Sequence, residues 1–567
     1  MIKYARPNGR SPAARLDAQR RVMRRCRSMS VEVGDGAADL CLWDFTVGSL
    51  LEHWAAQVPD RTALVGQTTT DGDEVRLTYA ELDRQARKAA AGILQHANPG
   101  DHVAILAQNV IEWTIVQMGA ALAGVTLVAI NPIFTVDELI YAIQHSQAVL
   151  LLHTSTSRSH DVAAVVAEAV PRCPDLRHVI ALEDAGEWQA TPTDLPEVDP
   201  DSPAMLQYTS GTTGKPKGAL LTHRSMVNNG RFLFSSLNVP EGAVALSALP
   251  AFHTGGCICS TLGPLSVGGT IIMVDRFDPA SILDQIARES VSYLVSVTTM
   301  LNDLIAEGAR RGGRLPVIPW VTTGAANVPR VLLEQARELF QASVHNVYGQ
   351  TEMSAVICLA RPGTPDEDLL QTVGAPLPLT RLRLVDPLTE REVSPGEIGE
   401  VRAKGFGRML GYYRDDESTR AAIDSDGWLR TGDLGFVNER GHLRITGRVK
   451  EMIIRGGENI SPAEIESCLV EHPAVLEAVA VGLPDARLGE AVGAVIRLHR
   501  PTEPPPAEEL RAHCARRLAR FKVPVSFFLA DEFPMTPSRK IQRYRVTAFA
   551  VGGEYPQLRM PMSTNGE

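Results

Sequence analysis

The sequence predicts an α/β protein with a large N-terminal domain of parallel sheets covered by helices, a small β unit, and a small α+β C-terminal domain. From about residue 60, short apolar runs alternate with helix-like segments, the rhythm of helix-covered parallel sheets. Past residue 370, short strands joined by Gly and Asp turns replace this rhythm. Beyond residue 450 the pattern becomes compact α+β, so it predicts a domain boundary near that position.

Local signals predict each element of the large part. Thr78 and Glu81 have the spacing of a capping box, which marks the start of a helix. Apolar runs of strand length follow at 102–107 ("HVAILA"), 126–130 ("TLVAI") and 148–153 ("AVLLLH"). Further on, "GGTIIMVD", "PASILDQIARES" and "VSYLVSV" predict a strand, a helix and another strand.

The second half of the chain has shorter elements. The segments "RLRLVDP", "GEIGEVRAKG", "WLRTGDLGFV" and "HLRITGR" predict a small antiparallel β unit. After it, the pattern predicts a helix at 462–470, strands at 475–482 and 491–498, and a helix at 507–519.

Composition and charge limit the class of protein. The chain has 567 residues, of which 44% are hydrophobic and 22% charged, as in soluble globular proteins. Its net charge of −10 argues against nucleic acid as a partner of the body. Residues 1–28 differ: nine Lys or Arg against Asp17 give +8, and the remainder sums to −18. We expect a disordered extension there, with a transit-like arm or a nucleic-acid-binding tail left open.

The cysteines and the apolar runs of the sequence indicate the cellular compartment of the protein. The eight cysteines are scattered singly apart from Cys257 and Cys259, and no Cys-x-x-Cys pair occurs. This usage predicts a reducing, cytoplasmic location rather than a disulfide framework or a zinc site. The longest apolar run, 118–130, is shorter than the roughly 20 residues of a membrane span. We therefore expect no transmembrane segment.

The stretch "YTSGTTGKPKGA" (208–219) is too polar and glycine-rich to pack in a core. A strand-like "AMLQY" precedes it and a helix-like "HRSMVNNGRFLF" follows, which predicts a strand–loop–helix geometry around an anion. Its spacing is not that of the common Gly-Lys-Ser/Thr nucleotide loop. The loop offers glycine flexibility, hydroxyl donors and positive charge through Gly211, Gly214, Gly218, Thr209, Ser210, Thr212, Thr213, Lys215 and Lys217.

This loop resembles the phosphate loop of the adenylate-forming superfamily, which includes acyl-CoA synthetases, adenylation domains and luciferases. The resemblance covers residues 45 to 548, because four more motifs follow in family order. They are similar to the nucleotide and magnesium segment, the ribose-binding turn, the interdomain hinge and the segment of the catalytic lysine: "NVYGQTE" (346–352), "GWLRTGD" (427–433), "GRVKEMIIRGGENISPAEIE" (447–466) and "PMTPSRKIQRYRV" (534–546).

The resemblance implies a division of the chain into domains. Residues 1–40 would be a basic extension and 549–567 a flexible tail. The N-terminal AMP-binding domain would span 41–447, with a hinge at 448–450 that turns about Lys450. A small mobile C-terminal domain would span 451–548.

The motifs imply a site for ATP and Mg²⁺. The chemistry fits, because activating a carboxylate as a mixed anhydride with AMP requires neutralising charge on phosphorus and on pyrophosphate. Glu352 is the expected catalytic and magnesium-binding carboxylate, and Thr351 is expected near the phosphate. The family likeness assigns the remaining nucleotide contacts to the phosphate loop (Thr209, Ser210, Gly211, Thr212, Thr213, Gly214, Lys217), the adenine segment (Gly324, Ala325, Tyr348, Gly349) and the ribose pair (Asp433, Arg448).

Lys540 resembles the catalytic lysine that contacts the carboxylate and the α-phosphate. The preceding residue is usually Gly in the family, whereas this chain has Arg539, whose Cβ restricts the backbone. In the second half-reaction the C-terminal domain would rotate, and the loop with Gly456 and Gly457 would enter to accept CoA.

The segment "LPAFHTGG" (249–256) resembles the start of the family's acyl pocket, where His253 would contact the carboxylate. No acidic residue lies between Glu241 and Asp275 to pair with an amino group. This favours an acid with an uncharged, aliphatic tail. The segment "IIRGGENISPAEIE" resembles that of medium- and long-chain acyl-CoA synthetases, and the resemblance implies a medium- or long-chain fatty acid, with coumarate-type aromatic and sterol-derived acids left open.

The resemblance thus predicts an AMP-forming acid–thiol ligase that makes acyl-CoA. Alternatives are a ligase that passes the acyl group to a carrier protein, an ATP-binding inactive scaffold, and a luciferase-like oxidase. The expected partners are a carboxylic acid, ATP and CoA, while a homo-oligomer and a carrier protein stay open.

Overall fold

A computed structural model describes residues 41–558 except 71–73, 193, 210–215, 313–314, 325–327, 456–457, 486, 502 and 536–540. Several predicted site residues lie outside the described residues: Ser210, Gly211, Thr212, Thr213, Gly214, Ala325, Gly456, Gly457, Arg539 and Lys540. The basic segment 1–40 lies outside them as well.

The first sheet of the large part has nine strands among the described residues. Its inner strands are parallel and its two edges are closed by antiparallel strands. Across the sheet the strands run Ala375–Pro376, Cys358–Leu359, Ser343–Tyr348, Trp320–Gly324, Tyr293–Val295, Val244–Ser247, Thr270–Met273, Thr62–Gln67 and Glu74–Thr78.

A second sheet has seven strands in the described part of the chain. Four of its strand pairs are parallel, and the strand Thr126–Ile130 is buried along its whole length, as expected for an apolar strand covered on both faces. Across the sheet the strands run Gly411–Tyr412, Lys217–Thr222, Pro203–Thr209, Thr126–Ile130, His102–Leu106, Leu150–His153 and His178–Ala181.

Helices cover both sheets. The predicted capping box is confirmed, because the Thr78 hydroxyl accepts from the Glu81 N–H and the Glu81 carboxylate accepts from the Thr78 N–H. No helix in the described ranges is long and apolar enough to cross a bilayer. The α-helices of this part are Val47–Gln57, Tyr79–His96, Ile111–Ala123, Val136–Ser146, Val162–Ala169, Ala185–Trp188, His223–Ser236, Gly263–Ser266, Pro279–Arg288, Thr298–Arg310, Arg330–Phe340, Asp366–Leu369 and Asp416–Ala422.

The predicted small β unit is a four-stranded antiparallel sheet with strands Thr380–Val385, Gly399–Gly405, Leu429–Val437 and Leu443–Arg448. After it, another sheet forms with its own apolar core. Its strands are Glu458–Ile460, Ile453–Arg455, Gly489–Leu498, Val475–Asp485 and Ser526–Leu529, packed with helices Pro462–Val470, Ala507–Ala515 and Arg543–Gly552. The predicted α/β fold class is therefore confirmed, while the exact domain boundaries stay predictions.

The phosphate-like loop does not lead directly into a helix, which corrects the expected strand–loop–helix geometry. The strand Lys217–Thr222 follows the loop and pairs antiparallel with Pro203–Thr209, and the helix begins only at His223. The physical reason is that the whole segment pairs with the neighbouring strand and that Ala219 and Leu221, two residues apart and so on one face of the strand, are fully buried.

The first part of the predicted tail, up to residue 558, is among the described residues. The last helix continues to Gly552, and the Leu558 N–H then donates to the Phe527 carbonyl. Ala550 is buried in the apolar cluster beneath this helix. Ala550, Tyr555 and Leu558 therefore attach this segment to the apolar clusters of the C-terminal part.

Candidate active site

The strands that flank the phosphate-like loop bring Thr209 and Lys217 opposite each other. The Thr209 hydroxyl lies 3.4 Å from the Lys217 carbonyl and 3.5 Å from Glu352 Oε1. The Lys217 ammonium lies 5.1 Å from the centre of the Tyr412 ring, within the range of a cation–π contact. The base of the loop thus meets the predicted magnesium ligand.

Tyr412 is a site residue that the sequence analysis missed. Its phenol donates a 2.8 Å hydrogen bond to Glu352 Oε1, and its strand lies beside Lys217–Thr222 at the edge of the second sheet. Burial, reinforced by the Glu352 charge, raises the pKa of Tyr412. The phenol therefore stays protonated and fixes the direction of the carboxylate.

Thr351 and Glu352 lie in a short 3-10 turn, Thr351–Met353, that follows the strand Ser343–Tyr348. The buried amide of Asn229 donates to the carbonyls of Met353 and Val356 and accepts from the Val356 N–H. These bonds satisfy the backbone beyond the turn. Asn229, in the helix His223–Ser236, therefore fixes the position of the turn that carries Glu352.

Gly349 and Gly324 occupy positions with no room for a side chain. A Cβ at Gly349 would lie 1.7 Å from the Ala355 carbonyl oxygen, and one at Gly324 would lie 2.2 Å from that of Val347. Contacts below about 3 Å require the backbone to move. Both glycines therefore allow the close backbone approach that positions the Tyr348 segment.

Asp433 is held on both sides. The Tyr348 phenol donates a 2.7 Å hydrogen bond to Asp433 Oδ2, and Arg448 Nε lies 2.7 Å from Oδ1. Arg448 faces Asp433 on the next strand, and the carboxylate is 5% exposed. Burial and the Asp433 charge raise the pKa of Tyr348. Each carboxylate oxygen has two lone pairs, so each keeps one for a ligand hydroxyl.

His253 lies in the turn that precedes a buried π-helix, Gly255–Leu262. The centre of its ring is 4.7 Å from that of Phe252. The backbone N–H of His253 donates to the Pro250 carbonyl. π-Helices are rare and occur frequently at functional sites. The segment predicted to begin the acyl pocket therefore has an unusual backbone.

The predicted residues form two clusters of contacts and some isolated positions. Thr209, Lys217 and Glu352 meet at the base of the loop, and Tyr348, Asp433 and Arg448 meet at the small β unit. Lys450 lies in the 3-10 turn Val449–Glu451, between the last strand of the β unit and the C-terminal sheet. The roles of these residues stay predictions.

The residues at the base of the loop fit magnesium. Mg²⁺ is commonly bound by one or two carboxylates together with substrate phosphates and water. Glu352 supplies one carboxylate with a hydroxyl beside it, an arrangement that suits a metal that arrives with a phosphate group.

Two family models match the chain. The AMP-binding enzyme model matches residues 51–413, and the model of the AMP-binding enzyme C-terminal domain matches residues 464–540. The chain belongs to the AMP-binding enzyme family, in the acyl-CoA synthetase branch of the adenylate-forming superfamily that its motifs predict.

Among its relatives is YngI of Bacillus subtilis, named as an acyl-CoA synthetase, which is 36% identical over 88% of this chain and 96% of its own. The mitochondrial medium-chain acyl-CoA ligase ACSF2 of Macaca fascicularis is 32% identical over 88% of this chain and 86% of its own. The structure of o-succinylbenzoate CoA synthetase (MenE) of Bacillus subtilis with an acyl-adenylate superposes with a TM-score of 0.77, at 30% identity, over 89% of this chain and 98% of MenE.

MenE has also been solved with ATP and magnesium. The predicted set of ATP, Mg²⁺ and CoA is therefore that of the family to which the chain belongs. The predicted enzyme class, an AMP-forming acid–thiol ligase, is likewise that of its relatives and of its fold.

Proposed function

We propose that this protein joins a medium- or long-chain fatty acid to CoA in two steps and releases AMP and pyrophosphate. The observation that supports it best is the short segment from Tyr348 to Glu352. At one end it contacts Asp433, and at the other it contacts Thr209 and Tyr412. The segment of five residues thus links Asp433, the proposed acceptor for the ribose hydroxyls, to Glu352, the carboxylate beside the phosphate-like loop.

In the first step, a carboxylate oxygen of the acid attacks the α-phosphorus of ATP. A C–O–P anhydride bond forms, and the bond to pyrophosphate breaks. Asp433 would accept hydrogen bonds from the two ribose hydroxyls through its remaining lone pairs. Glu352, directed by Tyr412, would hold the magnesium, which neutralises phosphate charge when bound. Lys540 would stabilise the charge that develops on the α-phosphate.

In the second step, the thiol sulfur of CoA attacks the acyl carbon, loses its proton and forms the thioester, while AMP leaves. The proposed hinge at 448–450 separates the two steps, because Lys540 would leave the site and the loop with Gly456 and Gly457 would enter. The Ser461 hydroxyl donates to the Thr446 carbonyl on the other side of this hinge. That contact lies where a rotation of the C-terminal domain, 451–548, would begin.

The choice of a fatty acid is supported by the π-helix after His253. Cys257, Ile258 and Leu262 are fully buried there, and the run from 242 to 274 has no acidic residue. The medium-chain ligase among the relatives favours the same class. An aromatic acid is the second candidate, because MenE was solved with o-succinylbenzoyl adenylate.

A further part of the proposal concerns the location of the protein in the cell. The cysteines in the described ranges form no disulfide, which is in keeping with the proposed cytoplasmic location.

Two other functions compete with the proposed one. They are transfer of the acyl group to a carrier protein instead of CoA, and an inactive ATP-binding scaffold. A homo-oligomer is compatible with each of them.

The deciding experiment is product analysis with magnesium-ATP and straight-chain, branched and aromatic acids, each with and without CoA. We expect AMP, pyrophosphate and acyl-CoA to appear together over one range of straight-chain lengths. Acyl-adenylate without thioester in the presence of CoA would instead favour carrier loading. ATP binding without turnover of any acid would favour the scaffold and would direct attention to Arg539.

A further inference from the structure

The π-helix Gly255–Leu262 is held by two side chains as well as by its backbone. The Ser260 hydroxyl donates a 2.8 Å hydrogen bond to the Gly255 carbonyl, and the Thr261 hydroxyl donates a 3.0 Å bond to the Gly256 carbonyl. Both bonds reach back five residues, the spacing of a π-helix. Hydroxyls in an α-helix reach back three or four residues instead.

The neighbouring helix provides the contrast. The Ser266 hydroxyl donates a 2.6 Å bond to the Gly263 carbonyl, three residues back, in the α-helix Gly263–Ser266. The backbone at the junction still has π spacing, because the Gly263 N–H donates to the Ile258 carbonyl. The change from π to α spacing thus follows Thr261, the second of the two residues whose hydroxyls bond five residues back.

Packing largely screens the two hydroxyl residues from bulk water. Thr261 is 1% exposed and Ser260 is 7% exposed, so bulk solvent would compensate little for the loss of their bonds. A Cβ at Gly256 would lie 2.1 Å from the Pro250 carbonyl oxygen. The first turn of the π-helix therefore touches the backbone just before His253.

A small cavity of about 10 Å³ lies beside this contact, and Asn109, Leu249, Gly256, Ser260, Thr261 and Met273 are among the residues around it. It is about large enough for one water molecule. The cavity is bordered both by Leu249, in the segment before the π-helix, and by the two hydroxyl residues, so the two parts share a packing boundary.

We infer that Ser260 and Thr261 are positioning residues that keep Gly255–Leu262 in its π-helical form and thereby set the length of acyl chain that the pocket accepts. A π turn holds one residue more than an α turn. Without the two hydroxyls, a return to α spacing would push that residue towards His253 and reshape the pocket wall. The inference rests on the proposed function, because the segment sorts acids only if it bounds the acyl pocket.

The test compares Ser260→Ala/Thr261→Val with wild type, with Ser266→Ala as the matched loss of a buried hydroxyl at α spacing. For each protein, pyrophosphate release gives KM and kcat for straight-chain acids of increasing length, and KM for ATP. Because the altered pocket wall would no longer fit the preferred acid, we expect the KM of that acid to rise about tenfold. The preferred length should move, while KM for ATP stays as in Ser266→Ala. Thr261→Ser, which keeps a hydroxyl, should retain the wild-type profile.

Amide hydrogen exchange gives a readout that does not depend on turnover. We expect the exchange rates of the amides of 256–262 to differ in the double variant from those in wild type and in Ser266→Ala, because the carbonyl that each amide bonds to would change. Unchanged protection there, or a chain-length profile equal to that of Ser266→Ala, would overturn the inference. If wild type turned over no acid, the proposed function would fail on that result alone, and the exchange data would still decide whether the hydroxyls hold the helix.

Discussion

Tyr348 and Asp433, 85 residues apart in the chain, are joined by a 2.7 Å hydrogen bond from phenol to carboxylate. The bond connects the first sheet with the small β unit, which is a separate sheet. Because Tyr348 is also the residue expected to stack on adenine, the same side chain would contact the base and orient the acceptor of the ribose.

The phenol can be removed without removing the ring. In Tyr348→Phe, Asp433 loses a hydrogen bond to a charged acceptor, a kind of bond that contributes about 1.5–3 kcal/mol. We expect KM for ATP to rise at least about tenfold, with a smaller change in KM for the acid, as measured by pyrophosphate release. Tyr413→Phe, which removes an exposed phenol bonded to Gln147, is the control. Equal ATP dependence in the two variants would contradict the role of the bond.

The proposed separation of the half-reactions is tested at Lys540. In Lys540→Ala we expect adenylate formation to fall by a factor of about 100 or more, since a charge-stabilising group is lost from the first step. The variant should still convert supplied acyl-adenylate and CoA to thioester. Arg500→Ala, an exposed cation elsewhere on the C-terminal part, should leave both steps unchanged. A folded Lys540→Ala protein that loses both steps equally would argue against the separation.

The C-terminal part contains a partly buried ion pair that we expect to matter for stability. Arg543 Nη2 lies 2.6 Å from Glu466 Oε2, and Glu466 Oε1 also accepts from the Ala480 N–H. In Glu466→Ala, the Arg543 side chain, which is 30% exposed, keeps Glu451 at 3.5 Å. We therefore expect a cost of about 1.5–3 kcal/mol, that of a lost hydrogen bond between charged groups.

Urea and thermal unfolding measure that loss. Glu471→Ala serves as the control, because Glu471 forms an exposed pair with Arg517 and such pairs contribute little. A Glu466→Ala protein as stable as the control would show that the partly buried pair adds nothing to the folded state.

Two buried histidines predict a dependence of stability on pH. Burial lowers the pKa of His345 to about 4 and that of His223 to about 4, against about 6.5 in an unfolded chain. Between these values the unfolded chain binds more protons, so the free energy of unfolding falls as pH decreases from about 6.5 to about 4. Each histidine contributes on the order of 3 kcal/mol to this fall.

The contribution of one histidine can be isolated. Unfolding of wild type and His345→Gln across this range should show a smaller acid loss in the variant, because glutamine does not titrate. His499→Gln, at an exposed position, should keep the wild-type slope. Parallel curves for wild type and His345→Gln would contradict the assignment.

Elements with a local signal could be predicted from the sequence. The strand Thr126–Ile130 and the helix Pro462–Val470 have the predicted bounds, because an apolar run and a Ser-Pro start define them within a few residues. The strand Lys217–Thr222 was missed, since it begins with residues typical of a loop and is fixed by pairing with a partner strand.

The site shows the same limit. The motifs indicate Glu352 and Asp433, but not the side chains that direct them from distant parts of the chain. Tyr412 contacts Glu352 across 60 residues, and no pattern in the sequence links the two. Such contacts depend on how strands are ordered in a sheet, which local periodicity does not specify.

The hairpin formed by Pro203–Thr209 and Lys217–Thr222 also bears on protein engineering. Thr209 and Lys217 are opposite each other, and the register of a hairpin depends on the length of its connection. A replacement connection of the same length should therefore keep the two residues paired, whereas a longer or shorter one would shift the pairing of the strands. For protein engineering, this makes the segment suitable for exchanging sequence at constant length.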